Sequence, residues 1–182
     1  GNDYVINGSK MWITSGTQAD WMCMLANTDN VAKNKHLNKS LICVPLKENG
    51  KRAKGVTINR KLKKMGMHSS DTAEIFFEDV RVPQSYLVGE EGKGFVYQMM
   101  QFQEERLYAA IANYTSCELA INQTIDYTRQ RKTFGKPILD NQVVHFKLSE
   151  LMTEVEALKA LTWKGIDIHV NGGDCTKLAS MS

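Results

Sequence analysis

Short β-prone runs fill the first half of the chain, and long runs at helical spacing fill the second. Up to about residue 88 the runs are "DYVINGSKMWITSG", "WMCMLANT", "KSLICVPL", "GVTINR" and "AEIFFEDVRVP", separated by polar stretches. That pattern predicts strands. Asn7-Gly8 stands between two such runs and predicts a tight hairpin turn. Pro45 and Pro83 predict strand ends or edges. Residues 27–40, "NTDNVAKNKHLNKS", predict an exposed loop. The first half therefore reads as a small antiparallel sheet or barrel.

After "VGEEGKGF" the period changes. From Phe95 to Arg131 there is neither proline nor glycine. Apolar residues fall at Phe95, Met99 and Phe102, then at Ile111, Tyr114, Ile121 and Ile125, which predicts one long helix. A break at "TFGKPILDN" precedes a second helix over Gln142–Val170, with Val144, Leu148, Leu151, Val155 and Leu158 on one stripe. "NGGD" ends it, and Asp174 is placed to cap a third. Two long antiparallel helices need further helices on their apolar faces. The fold class is α+β: a β domain over residues 1–90, then part of a helical bundle over 91–182.

Composition narrows the function classes. At 182 residues, 42% hydrophobic and 24% charged, the chain can bury a core. No apolar run approaches a membrane span. A net charge of +3 with scattered basic residues leaves no nucleic-acid footprint. Cys23, Cys43, Cys117 and Cys175 show no metal-binding spacing and read as reduced thiols. His36, His68, His145 and His169 are solitary, so no metal site is expected. The chain starts at Gly1 and ends on "KLASMS", which reads as a helix cut in mid-turn; a fragment of a longer protein is expected.

Five segments carry candidate chemistry. In "KMWITSG", Trp12 and Thr14 are two positions apart, so a regular strand puts both on one face. They are either a core Trp beside a surface Thr, or a flat platform with a hydrogen-bond donor that suits a planar cofactor. In "FQEERL", Glu105 and Arg106 continue an apolar stripe. They are a solvated charge cluster, or a carboxylate whose apolar surroundings make it a base. In "RQRKTFGKPILDNQ", Arg129, Arg131 and Lys132 either complement a helix dipole or hold a pyrophosphate, with Thr133 and Gln142 adding neutral hydrogen bonds. "VGEEGKGF" reads as a turn into a helix, because Glu90 and Glu91 would repel phosphate. "SSDT" reads as a turn in which Asp71 bonds its own backbone.

In order and spacing, these segments resemble the acyl-CoA dehydrogenase family. The matching pieces are "Y-x-I-N-G-x-K-x-W-I-T", "A-D-W", "M-G-x-x-x-S-D-T", "F-E-D-V-x-V-P", "G-E-x-G-x-G-F", "E-R", "R-K-T-F-G-K-P-I", a Gln seven residues after that Gly, and "K-L-x-E-L". The likeness covers nearly all of the chain except the loop at about 30–39. The family fold has an N-terminal helical domain, a middle β domain and a C-terminal four-helix bundle. This chain resembles the middle domain and about half of the bundle.

The resemblance implies FAD as cofactor and an acyl-CoA as substrate. It implies α,β-dehydrogenation to trans-2-enoyl-CoA, with electrons passed to an electron-transfer flavoprotein. Trp12 and Thr14 would meet the flavin ring, with Ile13 between them facing the other way. Arg131, Thr133, Phe134 and Gln142 match residues that hold the FAD of a neighbouring subunit, which implies a dimer or tetramer. Gln103 and Arg106 match the substrate side of the first long helix. Glu105 matches the catalytic base of the isovaleryl-CoA and long-chain types; in most of the family the base lies beyond this chain's end. Lys33, Lys35 and Lys39 would lie near the CoA 3′-phosphate. Ser15 stands where Asn is common in the family, and the family's flavin-binding segment upstream of "Y-x-I-N-G" is missing. The isolated chain is therefore expected to bind FAD weakly or not at all, and to be inactive. The family's role implies the mitochondrial matrix, or the cytoplasm of a bacterium. An acyl-CoA oxidase-like enzyme and a non-catalytic interaction fragment are the alternatives.

Overall fold

The computed structural model describes residues 3–31 and 34–182. The chain divides into two compact units, the first ending at Gln98 and the second starting at Met99. In order, the strands of the first are β1 (Asp3–Thr14), β2 (Trp21–Asn27), β3 (Lys39–Pro45), β4 (Lys47–Glu48), β5 (Lys51–Arg52), β6 (Val56–Lys61), β7 (Thr72–Pro83) and β8 (Leu87–Val88). Two three-stranded sheets, ordered β1-β7-β6 and β2-β3-β8, share one core. Met24, Ile42 and Val44 of the second sheet pack with Ile6, Ile75, Phe77, Val80 and Val82 of the first. Pro45 and Pro83 close β3 and β7, where a missing N–H interrupts no further pairing.

Asn7-Gly8 does not form the expected hairpin: β1 runs through it as one strand. Ile6 pairs with Val80 and Gly8 with Phe77, so β7 carries an extra residue at this point. Asp79 takes up the bulge at φ 48°. The Asn7 amide clasps it: Nδ2 donates to Asp79 Oδ1 at 3.0 Å, and Asp79 N–H donates to Asn7 Oδ1 at 2.9 Å. An Asx side chain that serves a turn also serves a bulge, and here a partner strand was available. A second bulge lies in β1 itself. Lys10 pairs with Ile75 but Ile13 with Ala73, leaving Met11 and Trp12 together opposite Glu74.

"VGEEGKGF" makes the expected turn into α1 (Gly94–Gln130), with Gly89 and Gly92 at positive φ. Gly92 N–H donates to Ser40 Oγ at 2.9 Å. A Cβ on Gly94 would stand only 2.5 Å from the Ser40 carbonyl carbon, so the chain passes β3 at backbone contact.

In the second unit, α1 is followed by a small ribbon, β9 (Lys132–Thr133) and β10 (Lys136–Pro137), and then α2 (Gln142–Val170) and α3 (Thr176–Met181). The long helices run antiparallel. Tyr114, Ile121 and Val155 are buried, and Leu148, Leu151 and Leu158 pack against them. Leu107, Cys175 and Ala179 form a second cluster. Along α1 full burial returns at Leu107, whereas Phe95 and Phe102 are half-buried and Met99 is exposed. Cys175 is the N-cap residue of α3; Asp174, one residue earlier, accepts from Thr176 N–H at 2.9 Å and from its hydroxyl at 2.6 Å. No described helix is long and apolar enough to cross a membrane.

Candidate functional site

The bulge in β1 decides which way Trp12 faces. Upstream of it, Ile6, Gly8 and Lys10 pair with Val80, Phe77 and Ile75, whose side chains are in the core. In a regular strand Trp12 and Thr14 would continue that inward face. The extra residue shifts the alternation by one, so Ile13, not Trp12, takes the inward position and packs against the core. Trp12 sits at φ 63° and its side chain is 67% exposed. An aromatic residue in left-handed backbone carries a strain cost of about 1–2 kcal/mol. Thr14, also exposed, ends the strand beside it.

Asp71 holds the turn after this platform. Its backbone oxygen accepts from Ser15 N–H at 2.9 Å, and its Oδ2 accepts from Thr17 N–H at 2.9 Å. The carboxylate therefore serves a loop 54 residues away, not its own backbone. Asp71 is only 6% exposed, and its Oδ1 has no protein partner. The bond to Thr17 corrects the sequence reading of Asp71 as bonding its own backbone, which arose because a polar tetrapeptide beside a strand signals only a turn. Nearby, Lys64 Nζ donates to Ser70 Oγ at 3.0 Å and to Thr72 Oγ1 at 2.5 Å, fixing the same segment.

The second group of candidates lies at the end of α1. Arg131 N–H donates to Tyr127 O, and Ile138 N–H donates to Arg131 O, both at 2.9 Å. These bonds close the ribbon Lys132–Pro137. Its two-residue tip, Phe134-Gly135, has φ of 51° and 82°, as a type I′ turn requires. Gly135 meets that demand freely, while Phe134 meets it under strain, with its ring fully exposed. Arg131, Thr133 and Gln142 are also exposed, and Gln142 opens α2.

The third group is on α1. Glu105 is exposed, and its Oε1 accepts from Gln101 Nε2 at 3.0 Å. The Arg106 guanidinium lies over the Phe102 ring, 5.7 Å from its centre. Gln103 turns toward α3: its Nε2 donates to Thr176 Oγ1 at 2.7 Å, and its Oε1 faces the Cys175 thiol at 3.7 Å. Lys39 is engaged by Lys35 O and Asn38 Oδ1, while Lys33 lies outside the described residues. No cluster of three or more metal-ligating side chains occurs among the described residues.

Comparison with known proteins gives a consistent result. Residues 1–80 match the acyl-CoA dehydrogenase middle-domain family, and residues 92–182 match the acyl-CoA dehydrogenase C-terminal-domain family. The chain is 43% identical over 169 residues to the mitochondrial long-chain specific acyl-CoA dehydrogenase of Rattus norvegicus, covering 93% of this chain and 38% of that protein. Among solved structures, the acyl-CoA dehydrogenase of Geobacillus kaustophilus superposes with a TM-score of 0.90 at 40% identity, over 100% of this chain and 46% of that one. A chain in the structure described as the electron transferring flavoprotein of Acidaminococcus fermentans gives a TM-score of 0.88 at 30% identity, again over 100% of this chain and 46% of that one. The chain thus spans less than half the length of these relatives.

Proposed function

Because the chain belongs to the acyl-CoA dehydrogenase family, we propose that the whole protein oxidises acyl-CoA thioesters to trans-2-enoyl-CoA, using FAD. The observation that carries this reading is the bulge that turns Trp12 outward beside Thr14 while anchoring Ile13 in the core. It makes a flat apolar surface with a hydroxyl at its edge, and both suit an isoalloxazine ring. The residues present fit that cofactor. Bound FAD supplies the two-electron acceptor for the hydride that leaves the substrate's β-carbon. Trp12 offers the stacking face and Thr14 a hydrogen bond to the ring. Arg131 supplies a cation for pyrophosphate, Thr133 and Gln142 neutral hydrogen bonds, and Phe134 an apolar cap, acting toward the FAD of a second copy. A homodimer or tetramer follows from that role.

Glu105 is the base that takes the α-proton in this reading. It stands immediately before Arg106, and a long-chain enzyme is among the most similar relatives. The thioester carbonyl acidifies the α-carbon, and the carboxylate needs partial desolvation to be basic enough. Glu105 is exposed in this chain, so the acyl group itself would have to exclude the water. Gln103 and Arg106 bind on the substrate side. Electrons pass on to an electron-transfer flavoprotein, which the likeness to the Acidaminococcus structure supports. Mitochondrial placement in a eukaryote follows the rat relative.

The test is Glu105→Gln in the whole protein, mixed anaerobically with a panel of acyl-CoAs. The variant should keep its flavin and lose substrate bleaching by at least about 100-fold, the usual scale of a general base. Bleaching at the wild-type rate would return Glu105 to a surface charge. Rapid oxygen consumption by the wild type would replace the dehydrogenase by an oxidase.

A further inference from the structure

Cys23 and Cys43 are directly opposite each other in the β2–β3 ladder. Their neighbours in register, Met22 with Val44 and Met24 with Ile42, face the core, so the two thiols share the opposite face of the sheet. Cys23 is exposed and Cys43 half-buried. Directly opposed residues in an antiparallel pair have Cα atoms about 4.5–5.5 Å apart, inside the about 4.4–6.8 Å range that a disulfide spans.

We propose that Cys23 and Cys43 are a reversible redox site, a cross-strand dithiol that small disulfides such as oxidised glutathione convert to an intramolecular disulfide. Nothing in the dehydrogenation chemistry uses this pair. The step balances. The Cys23 thiolate, having lost its proton to solvent, attacks one sulfur of oxidised glutathione and releases one glutathione thiolate. Deprotonated Cys43 then attacks the Cys23 sulfur, forms the protein S–S bond and expels the second glutathione. The protein pair loses two electrons and one glutathione disulfide gains them. Burial pushes the Cys23 thiol above its usual range, and the Cys43 sulfur beside it pushes the same way, partly through a hydrogen bond. The first attack is accordingly slow, whereas the second is favoured because the resolving sulfur is already adjacent. The bond would tie the edge strand β2 to β3, the middle strand of its sheet.

The whole protein is incubated with excess oxidised glutathione, alkylated and digested with trypsin without reduction. A free cysteine peptide in the same tube confirms that the oxidant is active. The expected product is one cross-linked species joining the peptides of residues 11–33 and 40–47, removed by excess reduced glutathione. Cys43→Ser should instead leave a stable glutathione adduct on Cys23. Separate glutathione adducts on both cysteines of the wild type would overturn the proposal, because the sulfurs would then be too far apart to resolve. Two free thiols beside a fully modified reporter peptide would overturn it as well.

Discussion

Replacing Gly94 by Ala sets helix propensity against packing, and the structure says which wins. At ordinary interior positions the change favours a helix by up to about 1 kcal/mol, and at the first residue of α1 by less. The new Cβ, however, would stand 2.5 Å from Ser40 C, 2.6 Å from Leu41 N and 2.7 Å from Ser40 Cα. Comfortable carbon contacts lie at about 3.5–4.0 Å. These are backbone atoms in a paired strand, so no side chain can rotate aside. Relief requires β3 and the start of α1 to separate, which strains the Gly92 N–H to Ser40 Oγ bond and the bridge between Lys39 and Lys93. Overpacking costs about 1–3 kcal/mol, and a weakened hydrogen bond about 1 kcal/mol more. The net loss should be about 2–3 kcal/mol. That should lower the melting temperature by several degrees. Gly50→Ala is the control: Gly50 has φ 74° and open space around its Cβ position, so only backbone strain of about 1 kcal/mol is added. Thermal melts and urea curves of both variants in the whole protein decide the matter. Gly94→Ala as stable as wild type, or less harmful than Gly50→Ala, would refute the reasoning.

Phe134→Gly should raise stability by about 1 kcal/mol, because glycine accepts φ 51° without strain; flavin titration of the whole protein should show weaker FAD binding, and unchanged affinity would remove Phe134 from the cofactor role. Asp174 gives a pH dependence. The Thr176 hydroxyl, and then the Thr176 N–H, hold its carboxyl below the usual 3.8. A depressed carboxylate contributes fully above its unfolded value and loses that contribution as pH falls through the folded one. The Thr176 amide resonance should therefore titrate with a midpoint below 3.8; a midpoint above it would show that the carboxylate is not held.

The helices were legible because length and period agree over many residues: the residues expected to open and close α2, Gln142 and Val170, are its observed ends. Local signals that depend on a distant partner were not. Asn7-Gly8 carries the chemistry of a turn, and nothing nearby in sequence reveals that Asp79 waits opposite it. Trp12 was singled out on the premise of unbroken alternation, and the bulge that actually exposes it has no sequence signature. Asp71 was read as serving its own turn for the same reason, since its actual partner, Thr17, is remote in the chain. Phe134-Gly135 shows the converse: the glycine marked a break, but not that its aromatic neighbour would share positive φ.

The two bulges of the β1–β7 ladder have opposite sense, one residue gained on β7 at Asp79 and one gained on β1 at Met11-Trp12. The displacement they create is confined to the pairs from Gly8 to Lys10, and by Ile13 the original register has returned. They behave as a matched pair of dislocations that cancel. Each extra residue is absorbed where it occurs, so losing it at either bulge would straighten the ladder there and leave the pairs on both sides on their present faces. Length can therefore change at either bulge without disturbing the core, and the tryptophan protrudes only for as long as β1 keeps its extra residue.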